Sequence, residues 1–563
     1  MPVKATDERG FTMIMTVIGI TLVVLLATVA VTAVNGSTQG AGRDIMRKQA
    51  YEAALAGLNE YAYHLHANSS YWTKCTEAVP STEKSALNQK GSTTNRRPVP
   101  GGSGATYALE LMPATGYTSC NPASVETATA SMLEGLEPLK GTFRVRATGF
   151  SGSVQVKVTG TFKPASFLDY VYFTQLETSD PVTYGNPELI KAAQRQCVKT
   201  IYEGRYAIPL ENEKGEFLNE EGQVTSRESN AEFCDVISFV SADNVKGPMH
   251  TNDAFVYCGS PTLGRRAEDP IEVSYPVAPG WFQTKKLPRE TYGGCSGSNA
   301  NVKGTFQINS PALIPPESNS ELSKIAETAY KFSGEVSICL EGSTMRVGAG
   351  KSCGTTKIAF PPNGVIYVSN KNNECKTEYT PFNVAYETTG TNTCGNVNIV
   401  EGKYAKPLTI AAANNVLIKS NVEKTTEEGM LGLIATNFIR VYHPVELVHP
   451  KECDRYGRNC VENTSITECE GNMTGSLENL KIEAALLALQ HSFIVDNYKC
   501  GNQLGSLSIV GAVAQKFRGA VGTTGNSGYV KNYEYDERLK TTEPPSFIEP
   551  IKSDWVIGRE TTE

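Results

Sequence analysis

An uncharged, mostly apolar run, "FTMIMTVIGITLVVLLATVAVTAV" from Phe11 to Val34, constrains this chain more than any other feature. At about 1.5 Å of rise per residue, a helix of that length spans roughly 36 Å, enough for a bilayer core of about 30 Å. Its threonines, Thr12, Thr16, Thr21, Thr28 and Thr32, can return their hydroxyls to the preceding helical turn. A secretory leader has a shorter apolar core, about 7–15 residues, followed by a small-residue cleavage site. The sequence therefore predicts a retained single-pass helix, with the rest of the chain outside the cytoplasm.

Much is left to fold beyond that helix. At 563 residues the chain exceeds one ordinary core and predicts several domains or an extended repeat. Its 50 Gly and 29 Pro favour turn-rich β structure over long helices. The formal net charge of −7 argues against a nucleic-acid partner, which selects a basic balance. The 14 cysteines include no Cys-x-x-Cys pair and there are only six histidines, so neither a metal site nor a cofactor is expected. Disulfides suit a translocated chain. Plausible local pairs are Cys197–Cys234, Cys258–Cys295, Cys339–Cys353 and Cys375–Cys394.

After a short break expected at Asn35–Gly42, Tyr51, Ala54, Leu55, Leu58, Tyr61, Ala62 and Leu65 recur at three and four. They define one face of a helix over 35–66. Ser69–Ser103 is polar and reads as loop. "ATYALELMP" alternates with Tyr107, Leu109 and Leu111 on one face. "GTFRVRATGFSGSVQVKVTGTFKP" is a hairpin pattern, Phe143, Val145 and Ala147 against Val154, Val156 and Val158, with "GFSGS" as the turn. A small α+β module with antiparallel strands is thus expected over 67–165.

The region 166–540 has a different texture. Apolar pieces of three to five residues (LTIAA, VLIKS, GLIAT, FIRVY, FIVDN, LSIVG) are broken by Asn, Gly or Ser. Short strands with corners that tolerate unusual φ suit a parallel β-helix, a solenoid; a β-sandwich is the alternative. Residues 541–563 read as a C-terminal tail.

The N-terminal boundary resembles that of type IV prepilins. A short charged leader, residues 1–10, ends at Gly10 and is followed by Phe11. That resemblance implies cleavage between the two by a prepilin peptidase, and helix packing against other pilins and pilus assembly proteins. One position departs from the pattern: major pilins carry Glu at the fifth mature residue, and here it is Met15. That points to a minor or accessory member. "KQAYEAALAGLNEYAYHL", "GPMHTNDAF", "LTIAAANNVLI", "LGLIATNFIRVYHPV", "IEAALLALQHSFIVDNY" and "LGSLSIVGAVAQKFRGAVGTTGNSGYVKNYEYDERL" look like large PilX-like pilus assembly proteins. The likeness covers most of residues 1–70 and about 141–563, and is weak over Ser69–Lys140 and Leu263–Pro362. It implies a membrane-anchored protein carrying a surface-displayed structural or adhesive domain.

No catalytic motif accompanies this pattern, and the chain is read as a non-enzyme. A carbohydrate-active β-helix enzyme is the competing class, since lyases and hydrolases need convergent carboxylates. Its candidates are Asp243, His250, Asn252 and Asp253 in "SADNVKGPMHTNDAF", and Tyr533, Tyr535, Asp536 and Arg538 in "YEYDERL". Asn252 and Asp253 equally suit a solenoid corner, where their side chains bond local backbone. Asp536 and Arg538 could pair and tie down the chain end. His443 precedes Pro444, and the end of a strand accounts for it.

Overall fold

The computed structural model describes the chain apart from residues 1–8, 68–70, 74–95, 102–103, 122, 136–140, 205–207, 284–298, 376–378, 385, 387–392, 453–459, 464–466, 524–526, 552–554 and 563. Side chains are also outside the description at 9–12, 30–40, 125, 373, 452, 461, 556 and 558–559. The chain divides into two units, Met1–Pro164 with Asp554–Glu563, and Ala165–Ser553. It is mostly β, with a long N-terminal helix, and its sheets form no closed barrel among the described residues.

In the first unit, α1 runs unbroken over Arg9–Ala67. The break expected at Asn35–Gly42 is not there: a mid-helix Gly weakens a helix by only about 1 kcal/mol, and well-formed turns flank this stretch. The lower part of α1 buries Ala50, Ala54, Leu58, Tyr61 and Leu65. They pack on an antiparallel sheet of β1 (Arg97–Pro98), β2 (Thr106–Met112), β3 (Phe143–Ser151) and β4 (Val154–Pro164). A short helix, α2 (Val125–Met132), is held by a capping box between Ser124 and Thr127. Gly149 lets helix and sheet approach, since a Cβ there would sit 1.8 Å from the Ala50 carbonyl oxygen. The turn between β3 and β4 uses Gly152 at φ 55°.

The fifth strand of this sheet, Trp555–Thr562, pairs with β4, with Trp555 opposite Pro164. The stretch expected as a tail, 541–563, therefore ends as an edge strand. Trp555 supplies the physical reason: its ring meets Phe143 edge-on at 4.8 Å and Trp72 at 5.7 Å, beside the stacked Phe143–Phe162 pair. In chain order, the second unit is an insertion between β4 and this last strand.

The second unit is built on parallel ladders. One joins ten strands in the order Lys331–Ser333, Val365–Ser369, Leu408–Ala412, Leu431–Ala435, Lys481–Ala488, Gln503–Arg518, Tyr172–Ser179, Met249–Thr251, Pro270–Val273 and Thr305–Gln307. Ile366, Ile410, Leu433, Leu486, Val513, Tyr172, Met249 and Ile271 are successive register partners, and all are buried. Each such side chain contributes about 1.5–3 kcal/mol of burial. A second ladder joins Val336–Gly342, Val397–Tyr404, Val416–Ile418, Ile439–Val441 and Phe493–Val495. At the ends of its strands Asn414 donates to Asn396 Oδ1 at 2.8 Å and Asn437 to Asn414 Oδ1 at 2.7 Å, an asparagine stack that runs along the ladder.

The stacking order is not the chain order. The unit starts mid-stack at Tyr172–Ser179, winds outward to Thr305–Gln307, restarts at the opposite end with Lys331–Ser333, and winds back to meet its own start. The intervening segment, 308–330, crosses the stack. Asn252 brackets Leu313 with two hydrogen bonds, and Gln490 donates to the Glu317 carbonyl. Asn319 donates to the Ala412 carbonyl at 2.7 Å. Where first and last turns meet, Gln503–Arg518 serves two ladders, pairing with Gly528–Tyr535 up to Gly511 and with Tyr172–Ser179 from Val513. Gly511 is the bend, at φ 150°, and a Cβ there would lie 2.1 Å from the Ala484 carbonyl oxygen.

Candidate functional site

Two features stand apart from ordinary packing. The first is the upper part of α1. Met13, Ile14, Val17, Ile18, Leu22, Val23, Leu25, Leu26 and Val29 are all more than half exposed, on every side of the helix. The Thr21 and Thr28 hydroxyls donate to carbonyls one turn back, so they leave no unpaired donor on an apolar surface. A surface apolar all round, with its polar groups satisfied internally, suits an apolar surrounding. Even so, no helix among the described residues is long and apolar enough to cross a membrane. Gly10 and Phe11 lie in the α1 backbone, the Phe11 side chain falls outside the described set, and so do residues 1–8 of the expected leader.

The second feature is the seam where the first and last turns of the second unit meet. Arg518, 1 % exposed, places Nη1 2.8 Å from Oε2 of fully buried Glu177. The other Glu177 oxygen accepts from the Thr174 hydroxyl, and from Tyr172 at 3.1 Å. Burial pushes the Glu177 carboxyl above its usual range, although Arg518 and Thr174 act against it. The Arg518 guanidinium lies 3.6 Å from the centre of the Phe239 ring, a cation–π contact. Next to it, Lys531 Nζ stands 3.1 Å from Asp243 Oδ2. Burial draws the Lys531 ammonium below the ordinary lysine range, with Asp243 offsetting part of the effect.

The residues singled out from sequence are brought together only in part. Asp243 belongs to the seam. His250 sits beside Glu272, Nδ1 to Oε2 2.9 Å, and its Nε2 is 3.1 Å from Asn252 Oδ1. Tyr170 also donates to that Glu272 oxygen, at 2.7 Å. Both Asp253 oxygens accept backbone N–H groups, from Glu177 at 3.0 Å and Ile201 at 2.7 Å, so it ties a corner. Tyr533 is buried and Tyr535 donates to the Leu168 carbonyl at 2.7 Å. Asp536 accepts from Arg538 at 2.6 Å, and Arg538 also donates to the Glu427 and Gly429 carbonyls. Burial raises the Asp536 carboxyl, and its Arg538 hydrogen bonds more than reverse that. The pocket they line with Tyr404 and Glu483 has room for about one water molecule. His443 is buried, with Nδ1 3.1 Å from the Asp496 carbonyl and Nε2 3.0 Å from Asn472 Oδ1.

Arg518, Glu177 and Lys531 escaped the sequence reading. Only Lys531 leaves a signal there, a cation inside an apolar alternating strand between Tyr529 and Tyr533. A serine, histidine and aspartate also meet outside the sequence candidates. Ser492 donates to Asp180 Oδ2 at 2.8 Å, while His491 Nδ1 is 3.1 Å from both Asp180 oxygens. Asp180 lies at the centre, with serine and histidine each bonded to it, so this is no nucleophile relay.

Sulfur bonds join Cys197 to Cys234, Cys339 to Cys353, Cys375 to Cys394 and Cys469 to Cys500. Cys258 is also disulfide-bonded, and Cys295 lies outside the described residues. No cluster of three or more His, Cys, Asp or Glu among the described residues could hold a metal ion.

Among solved structures, the competence-associated pilin ComZ from Thermus thermophilus is similar at 12 % identity and a TM-score of 0.28, over 92 % of this chain and 97 % of that one. No family model matches the chain. No curated protein matches it either.

Proposed function

We propose that this chain is a minor pilin-like, PilX-like pilus assembly protein of a type IV pilus or related filament. It is cut by a prepilin peptidase between Gly10 and Phe11 and held in the cytoplasmic membrane, or in the filament, by the upper part of α1. Its second unit is a parallel β-helix displayed outside the cytoplasm, with structural or adhesive work and no catalysis, cofactor or nucleic-acid partner.

The observation that carries this reading is the contrast along one helix. Met13–Val29 is apolar and bare on all sides, whereas Ala50–Leu65 is buried on a small antiparallel sheet. A helix built that way offers its upper half to lipid or to neighbouring helices. The parallel ladders and the asparagine stack favour a solenoid over a sandwich of antiparallel sheets. The disulfides fit an oxidising compartment. The non-enzymatic reading is supported by the candidate carboxylates, each of which is engaged by backbone donors or a cation.

N-terminal sequencing of the protein from its native membrane tests the reading. A mature chain beginning at Phe11 that co-purifies with sheared filaments is the expected result. A chain beginning at Met1, found only in the membrane, would count against both processing and filament entry.

A further inference from the structure

Lys531 and Asp243 are 288 residues apart in the chain, yet both are buried at the seam, 9 % and 2 % exposed. They come from its two sides. Lys531 is on Gly528–Tyr535, from the last turn, and Asp243 precedes Asn244–Lys246, from the first; these strands pair with Asn532 opposite Asn244. Nζ is 3.1 Å from Oδ2. The carboxyl is fixed from its other sides, with the Val240 N–H donating to Oδ2 at 3.0 Å and the Lys531 N–H to Oδ1 at 3.4 Å. Tyr533 lies buried beside the pair, and the charges of Arg518 and Glu177 act on Lys531. A primary amine is therefore pressed on a clamped carboxyl, away from water.

Such surroundings disfavour the charged form of the Lys531 amine. Burial already draws the Lys531 ammonium downward, and Arg518 adds to that. Passing one proton from Nζ to Oδ2, along the hydrogen bond between them, leaves a free amine facing a carboxylic acid. An amine in that state is a nucleophile, and holding it at contact distance removes most of the entropic barrier to attack.

We propose that Lys531 and Asp243 are joined by an intramolecular isopeptide bond. Nζ attacks Cγ, the N–C bond forms and the C–Oδ2 bond breaks. Oδ2 leaves as water with two of the three ammonium protons, and the amide nitrogen keeps the third. Both charges disappear and no oxidant or co-reactant is consumed. Arg518, whose charge acts on Asp243, adds a positive field that favours the oxygen turning negative in the tetrahedral intermediate. The product closes residues 243–531 into a covalent loop, so pulling on the two ends of the second unit cannot extend that segment.

Mass spectrometry of the purified full-length protein tests this. The expected mass is one water below the sequence mass, after allowing for the N-terminus found and the hydrogens lost to disulfides. Reduction and proteolysis should release a branched peptide joining the Asp243 and Lys531 segments. Lys531→Arg and Asp243→Ala should each restore the water and abolish the branched peptide. A folded, disulfide-bonded wild-type chain at full mass without that peptide overturns the proposal, whatever the variants do. Loss of the same water in either variant overturns the assignment to these two residues.

Discussion

Glu177 and Arg518 form a buried ion pair at 2.8 Å across 341 residues of sequence, at the point where the second unit closes on its own beginning. The Tyr172 and Thr174 hydroxyls donate to Glu177 Oε1, Thr251 is hydrogen-bonded to Thr174, and the Phe239 face lies under the guanidinium. Two ions placed in an apolar stack contribute little net stability, because desolvation offsets most of their attraction. Their effect is on register: a turn displaced by one strand would bury either charge alone.

Removing one partner should therefore do far more harm than removing both. Glu177→Gln leaves Arg518 as an uncompensated buried cation, and a loss of about 3–5 kcal/mol is expected in denaturant unfolding of the second unit. Glu177→Leu combined with Arg518→Met should recover most of that loss. A double variant as unstable as the single one would contradict this account.

The first unit depends on close approach in the same way. In Gly149→Ala the new Cβ would lie 1.8 Å from the Ala50 carbonyl oxygen and 2.7 Å from the Ala54 nitrogen, both backbone atoms of α1. Backbone cannot swing aside as a side chain can. Helix and sheet must part, and a destabilisation of about 1–3 kcal/mol is expected. Hydrogen exchange should locate it in β3 and the lower half of α1.

How much of this could be read beforehand depended on distance along the chain. Tyr61 and Leu65, or Phe143 and Val158, are set by local periodicity or by a hairpin, so the helix and the β3–β4 pair were legible. The three- to five-residue pieces around Leu408 and Leu431 showed short strands, and their asparagine corners were visible too. The order of stacking was not, because Val513 meets Tyr172 only after the chain has wound away and returned. The pairing of the seam charges was invisible for the same reason: nothing near Lys531 in sequence names Asp243 as its neighbour. Trp555 was missed because the strand it begins borrows its partner, β4, from before the insertion.

Segment 308–330 predicts a local effect. Asn319 is buried, donates to the Ala412 carbonyl at 2.7 Å and accepts from the Thr436 hydroxyl at 3.1 Å. Asn319→Ala should strand both partners, and a loss of about 1–3 kcal/mol follows. Amide exchange should quicken first within 308–330, before the ladders themselves open. Uniform loss of protection across the second unit would show that the segment and the stack unfold as one.

Glu232 predicts a pH effect of known sign. It is half-buried, and burial first, then the charges of Asp235 and Glu220, push its carboxyl up to about 7. A carboxyl raised on folding holds its proton more tightly in the native state, so stability falls as pH climbs from the unfolded value, about 4.3, through 7. Glu232→Gln removes that ionisation. The variant should melt at a higher temperature than the parent at pH 8 and close to it at pH 5, with the difference growing between. Because the side chain is partly solvated, a shift of only a few degrees is expected. Equal melting temperatures at pH 8 would show that its charge is accommodated at no expense to the fold.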